Sequence, residues 1–143
     1  MLFSEKQINP MDYSPLALAY IGDSVYDLYV RGRVLLKGKR HVTQMHKDSV
    51  SFVKAHSQAQ SVHAIENVLT EEELRILKWG RNAKSNTAPK NADITDYRLA
   101  TGFETLIGYL YLKKDEERLN KLMNTAYEAV DATNDNIGVK TDE

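Results

Sequence analysis

The chain has no cysteine, which excludes disulfides and thiolate metal sites and fits a reducing compartment. Three prolines and seven glycines among 143 residues are too few for a linker-rich or disordered chain. No apolar run approaches the ~20 residues of a membrane span, and no basic-then-apolar leader opens the sequence, so a cytoplasmic protein is expected. A glycine-rich phosphate loop is missing, which weighs against a kinase or ATPase. The four histidines lack the His-Glu-x-x-His spacing of a zinc hydrolase. Neither an internal repeat nor a convincing period-two alternation occurs, which leaves an all-α chain long enough to bury one core.

Excess charge is missing too: the net charge is −1, which alone would argue against a polyanionic partner. The charges are nevertheless segregated along the sequence. From Arg31 to Lys47 stand Arg31, Arg33, Lys37, Lys39, Arg40 and Lys47, with His41 and His46 between them and no acid. From Arg75 to Lys90 stand Arg75, Lys78, Arg81, Lys84 and Lys90, again with no acid. Acids gather at Glu71 to Glu73 and from Asp115 onward. This pattern predicts a basic face suited to a phosphate backbone; the alternative is two ordinary solvated faces.

What is present is a series of helices. Residues 1 to 13 show only a weak helical turn, and the chain is organised around Ser14 to Gly38. Ser14 can cap that helix, Pro15 suits its first position and Gly38 can end it. Its interior is apolar apart from Asp23, Ser24 and Asp27, which predicts burial on more than one face. Gly22 costs about 1 kcal/mol of helix propensity relative to Ala, so it predicts close approach by another backbone or a ligand. The alternative for Gly22-Asp23 is a half-exposed acid at a helix bend. Thr43 is the expected cap of a second segment that carries His46 and Lys47 and runs on to Leu69. His56-Ser57-Gln58 interrupts it, either to reach a phosphate or to cap a break.

Thr70 with Glu73 forms a capping box for the next helix, which Gly80 ends or loosens. A further helix starts at Thr95 or Asp96 and repeats apolar residues in threes and fours through Tyr111. Small residues at Ala100, Thr101, Gly102 and Gly108 predict that it packs centrally and encloses Glu104. Asp115 caps a last helix whose stripe from Leu119 to Val130 is core. Beyond it the chain is polar and aperiodic, so one domain over 1–131 and a flexible tail over 132–143 are expected.

The stretch from Arg81 to Asn91 lacks hydrophobic periodicity, and Pro89 holds Ala88 out of helical geometry. A loop of this length in a compact domain is a functional candidate, and its cations, Asn and Ser suit phosphate, ribose or base edges. The alternative is a mobile surface loop. Asp23 and Glu104 are the two acids within apolar or small-residue helices. If those helices are neighbours, the pair could bind a hard cation such as Mg²⁺ together with water and substrate phosphate. Metal-assisted phosphodiester cleavage fits both the acids and the basic stretches.

Ala-Tyr-Ile-Gly-Asp-Ser-Val (19–25) resembles the signature helix of the ribonuclease III catalytic domain. Phe-Glu-Thr-Leu-Ile-Gly-Tyr-Leu-Tyr-Leu (103–112) resembles the second acidic helix of that family, and order and separation agree over most of the chain. Gly-Arg-Asn-Ala-Lys-Ser (80–85) followed by Pro-Lys-Asn (89–91), Tyr-Arg-x-Ala-Thr-x-Phe-Glu (97–104) and the final Lys-Thr-Asp-Glu (140–143) are similar to the Mini-ribonuclease III subfamily, which lacks a double-stranded RNA-binding domain.

The resemblance implies an all-α endonuclease bundle that is homodimeric through the Ser14 helix. It implies hydrolysis of duplex RNA with Mg²⁺, or Mn²⁺ as an alternative, leaving 5′-phosphate and 3′-hydroxyl ends. The implied substrate is the precursor of 23S ribosomal RNA, with a ribosomal protein on the RNA assisting and no membrane involved. Asp23 carries over as catalytic acid and metal ligand, and Glu104 as the second metal ligand. Where larger members carry further acids, this chain has Leu16, Ala19 and Thr101, so fewer carboxylates face each ion. Without a binding domain, the expected RNA contacts are Arg81, Asn82, Lys84, Ser85 and Lys90, supported by His46, Lys47, Ser57 and Gln58. Asp27 receives no role and reads as a solvated or interface acid. Two rivals stay open: a non-catalytic duplex-RNA-binding dimer on the same fold, and a helical dimerisation module whose basic stretches serve solubility.

Overall fold

The computed structural model describes residues 7–84 and 93–141, with side chains in the last helix as far as residue 135. Among them are six α-helices, two short 3-10 turns and no strand. The helices are α1 (Pro15–Leu36), α2 (Val42–Val53), α3 (Ala55–Ile65), α4 (Glu71–Arg81), α5 (Ile94–Leu112) and α6 (Glu116–Thr141). None is long and apolar enough to cross a membrane.

α5 is the axis of the fold and packs against α1, α3 and α4. From Ala100 to Leu112 every residue but Glu104 and Tyr111 is buried. Glycines set its distance to two neighbours. A Cβ on Gly22 would lie 1.8 Å from the carbonyl oxygen of Glu104, and one on Gly108 1.9 Å from that of Leu18. α1 and α5 therefore cross backbone to backbone. α4 meets α5 in the same way: a Cβ on Gly102 would come 2.6 Å from the Leu77 carbonyl, and one on Gly80 2.2 Å from Thr105 Oγ1. Gly80 thus packs against α5 in the last turn of α4, which ends one residue later at Arg81 as the sequence suggested. The core around these crossings is aromatic and aliphatic. Phe103 meets Tyr26 edge-on at 4.8 Å between ring centroids, and Phe52 stacks on Tyr127 at 4.2 Å. Each such fully buried side chain contributes on the order of 1.5–3 kcal/mol.

Several local expectations meet the structure directly. Ser14 Oγ accepts from the Ala17 amide at 3.2 Å, and Gly38 adopts φ +130°, which a side chain would disfavour. The Thr70–Glu73 capping box is closed in both directions, and Asp115 accepts from the Arg118 amide ahead of α6. Others are corrected. α2 begins after His41 with no side-chain cap, so Thr43 lies inside it. The expected continuous helix to Leu69 breaks at Lys54, whose ψ of 156° is extended. Asp93, in place of Thr95 or Asp96, caps α5 by accepting from both of their amides.

α1 buries one face, through Leu18, Gly22, Tyr26, Val30 and Val34, while Leu16, Tyr20, Leu28, Leu35 and Leu36 stay exposed on the others. Burial on several faces is therefore not met within one chain. α6 continues helically past the end of its apolar stripe, and its polar residues are tied to the body. Lys37 Nζ donates to Asp131 at 2.9 Å, and Asn134 to Ser51 Oγ at 3.2 Å.

Candidate active site

The crossing that requires Gly22 also brings the two acids together. Asp23 follows that glycine on α1, and Glu104 is the residue whose backbone the glycine touches on α5. Both line one open cleft of ≈ 560 Å³. Ala19, Ala100 and Thr101 form part of its lining, α3 contributes Ala55 and Gln58, and Tyr20 and Tyr97 complete the polar groups. Asp23 is exposed and Glu104 half-buried. Burial pushes the Glu104 carboxyl up to about 9, and the hydrogen bond and charge of Asp23 add to the effect. Thr101 Oγ1 donates to the Tyr97 carbonyl at 3.0 Å. His56 Nδ1 and Asp96 Oδ2, 3.0 Å apart, tie the start of α3 to the start of α5.

Among the described residues no Lys, Arg or His belongs to the lining. Two carboxylates in such a place share a proton or hold a cation. Among the described residues no group of three or more His, Asp or Glu could hold a metal. A pair suits Mg²⁺, a hard ion that keeps several waters and takes one or two carboxylates plus substrate phosphate oxygens. Thiolate- or imidazole-seeking ions find no ligand here.

The other candidates are dispersed. His46 and Lys47 are exposed on α2, away from the cleft lining. Ser57 is 2 % exposed and its hydroxyl donates to the Ser51 carbonyl, so it closes the α2–α3 corner and has no free reach to a phosphate. Gln58 is buried in the cleft wall. Arg81 and Asn82 end α4, with Arg81 Nε donating to Asn82 Oδ1 at 3.2 Å, and Lys84 beyond them is exposed. Ser85 and Lys90 lie outside the described residues.

The first basic stretch is only partly free: four of its cations are paired, while Lys39, His41, His46 and Lys47 are exposed. Arg33 bonds Glu128, Asn124 and the Tyr29 hydroxyl, Lys37 pairs with Asp131, Arg40 with Asp48 and Arg31 with Asp27. Sequence reasoning also passed over Tyr20 and Tyr97 as cleft residues. The spacing of Tyr97, Thr101 and Glu104, four and then three apart, was the available signal for a shared helix face.

Residues 16–115 match the Ribonuclease III domain family, a span that contains both acids. The chain is 44% identical over 137 residues to a Mini-ribonuclease 3 of Clostridium tetani, covering 95% of this chain and 89% of that protein. It is 48% identical over 113 residues to a Mini-ribonuclease 3 of Staphylococcus aureus, covering 78% and 84%. A crystal structure of a Fusobacterium nucleatum protein superposes with a TM-score of 0.74 at 33% identity, covering 82% of this chain and 93% of that one. With both acids in one cleft and the likeness running over most of the chain, the protein belongs to the ribonuclease III domain family, in its Mini-ribonuclease 3 branch, as a ribonuclease III-type endoribonuclease.

Proposed function

We propose that the protein hydrolyses double-stranded RNA at the Asp23–Glu104 cleft with Mg²⁺, or Mn²⁺ as an alternative, and that its substrate is the precursor stem of 23S ribosomal RNA. The observation that carries this reading is the carboxylate pair brought into one cleft, whose described lining has no basic side chain. When bound, the ion stabilises the charge that develops at phosphorus and favours ionised water. Asp23 and Glu104 would hold it, with Glu104 giving up the proton that burial and Asp23 otherwise favour. Water oxygen bonds to phosphorus as the P–O3′ bond breaks, and the proton ends on the 3′ oxygen. The products are a 5′-phosphate and a 3′-hydroxyl.

Arg81, Asn82 and Lys84, with Ser85 and Lys90 following in the chain and His46 and Lys47 as outer contacts, would bind phosphates and 2′-hydroxyls by shape. Ser57 drops out of that set because it is buried. The exposed apolar residues of α1, Tyr20 at 78 %, Leu28 at 64 % and Leu35 at 62 %, favour a homodimer paired on this helix. Two clefts would then face the two strands of a duplex, with a ribosomal protein on the precursor assisting.

The test is incubation of the purified protein with a precursor stem duplex, with Mg²⁺ or with EDTA, beside Asp23→Asn and Glu104→Gln. Metal-dependent cuts on both strands, lost in both variants, are expected. Salt-sensitive binding without cleavage, unchanged in the variants, would instead establish a non-catalytic RNA-binding dimer.

A further inference from the structure

Among the described residues, three buried side-chain oxygens have no hydrogen-bond partner: the hydroxyls of Tyr26 and Tyr127, and Oε1 of Gln58. The two tyrosines belong to the aromatic core, but Gln58 lines the Asp23–Glu104 cleft. A carboxamide oxygen buried without a partner is costly, and an apolar side chain of similar length would fill the same space without that cost. Packing therefore does not explain the residue. No described side chain donates to it, and the hydroxyl hydrogen of Thr101 is committed to the Tyr97 carbonyl.

Gln58 is also held firmly. Its amide closes the first turn of α3 on the Lys54 carbonyl at 3.0 Å, Ser57 anchors the corner through Ser51, and His56 is joined to Asp96. A rigid, unpartnered acceptor beside a carboxylate pair suits water held around a cation, whose hydrogens are strong donors.

We infer that Gln58 is a positioning residue of the cleavage site, whose carboxamide oxygen accepts a hydrogen bond from water in the hydration shell of the cation at Asp23 and Glu104. With only two carboxylates to hold that ion, Gln58 supplies an outer contact that fixes its place. This inference rests on the reading of the cleft as a cation site. Loss of an outer contact of this kind lowers metal affinity about 10- to 100-fold.

The experiment measures Mn²⁺ affinity of the RNA-free protein by electron paramagnetic resonance, and the Mg²⁺ dependence of duplex cleavage. It compares wild type with Gln58→Leu, Gln58→Met, Gln58→Glu and Asp23→Asn. Gln58→Leu and Gln58→Met are expected to keep the circular dichroism of wild type and melt at the same temperature or higher. They should bind Mn²⁺ about tenfold or more weakly. They should also need correspondingly more Mg²⁺ for half-maximal cleavage, with KM for RNA unchanged once Mg²⁺ saturates. Gln58→Glu, which retains an acceptor oxygen, should keep or raise the affinity.

Unchanged Mn²⁺ affinity in both apolar variants would overturn the inference, as would an effect confined to KM for RNA. Loss of the fold in both would assign Gln58 to packing and equally overturn it. If wild type binds no Mn²⁺, or Asp23→Asn binds it as well as wild type, the cation-site reading itself fails, an outcome distinct from failure at Gln58 alone.

Discussion

Two glutamates of this protein are drawn into the body of the molecule, and their surroundings are opposite. Glu73 is 6 % exposed in the first turn of α4. It accepts from the Thr70 amide at 2.9 Å and from Arg118 Nε and Nη2 at 2.8 and 2.7 Å. The Arg118 guanidinium, helped by Thr70, holds its carboxyl below the usual range despite burial. Among the described residues Glu104 meets no such cation, and burial and Asp23 push it the other way, up to about 9. Arg118 makes Glu73 a structural clasp between α4 and α6, whereas Glu104 faces an open cleft beside a second acid, which supports the cation-ligand role proposed for it.

The largest expected effect sharpens that contrast. Glu104→Gln and Asp23→Asn should each lower duplex cleavage at saturating RNA by about 10³-fold or more, since a catalytic ion supplies several kcal/mol of stabilisation. Glu73→Gln should retain wild-type cleavage per folded molecule, measured by single turnover. Next comes Gly22→Ala. Its Cβ has no space against the Glu104 carbonyl, so urea unfolding should show a loss of about 3 kcal/mol or more, with the cleft disturbed as the crossing opens.

Arg118→Met removes the partner of Glu73. The expected loss is about 2–3 kcal/mol, below that of a fully enclosed pair because the Arg118 side chain is 21% exposed. Its pH dependence follows from a lowered native pKa. The contribution of the pair is present above the ordinary glutamate value of 4.5 and is lost as pH falls through the lower native value, so the gap between wild type and variant narrows on acidification. The smallest effects separate the two basic stretches. Arg81→Ala or Lys84→Ala should reduce the slope of log affinity for RNA against log salt by about one per phosphate contact. Arg33→Ala, which loses an ion pair with Glu128, should leave that slope unchanged and cost on the order of 1 kcal/mol of stability at most.

Features carried by neighbouring residues were legible in the sequence. The Ser14 cap and the Thr70–Glu73 box each act within a turn of helix. Pairing of Asp23 with Glu104 was legible as a condition on two helices being neighbours. Gly22 and Gly108 meet that condition: both predicted close packing, though not which backbone each would meet. What could not be read were the meetings between distant segments. The acids of α6 that neutralise Arg33 and Lys37 lie more than ninety residues away along the chain. Ser57 and Gln58 are adjacent and both polar, yet the corner at Lys54 turns one into a backbone tie and the other into a cleft wall. Gly80 reads as a stop signal and α4 does end at Arg81, but its close approach to Thr105 of another helix could not be read locally.

The claim that Asp23 and Glu104 form a cation site is tested most directly by Mg²⁺ in thermal unfolding of the RNA-free protein. A ligand that binds the native state alone stabilises it, by about 2.7 kcal/mol at a hundred times its Kd. Wild type should melt at a higher temperature as Mg²⁺ is added. Glu104→Gln should start from a higher metal-free melting temperature, because a neutral amide replaces a buried acid beside Asp23, and should then show no further rise. An equal Mg²⁺-dependent rise in Glu104→Gln, or none in wild type at concentrations that support cleavage, would contradict the assignment.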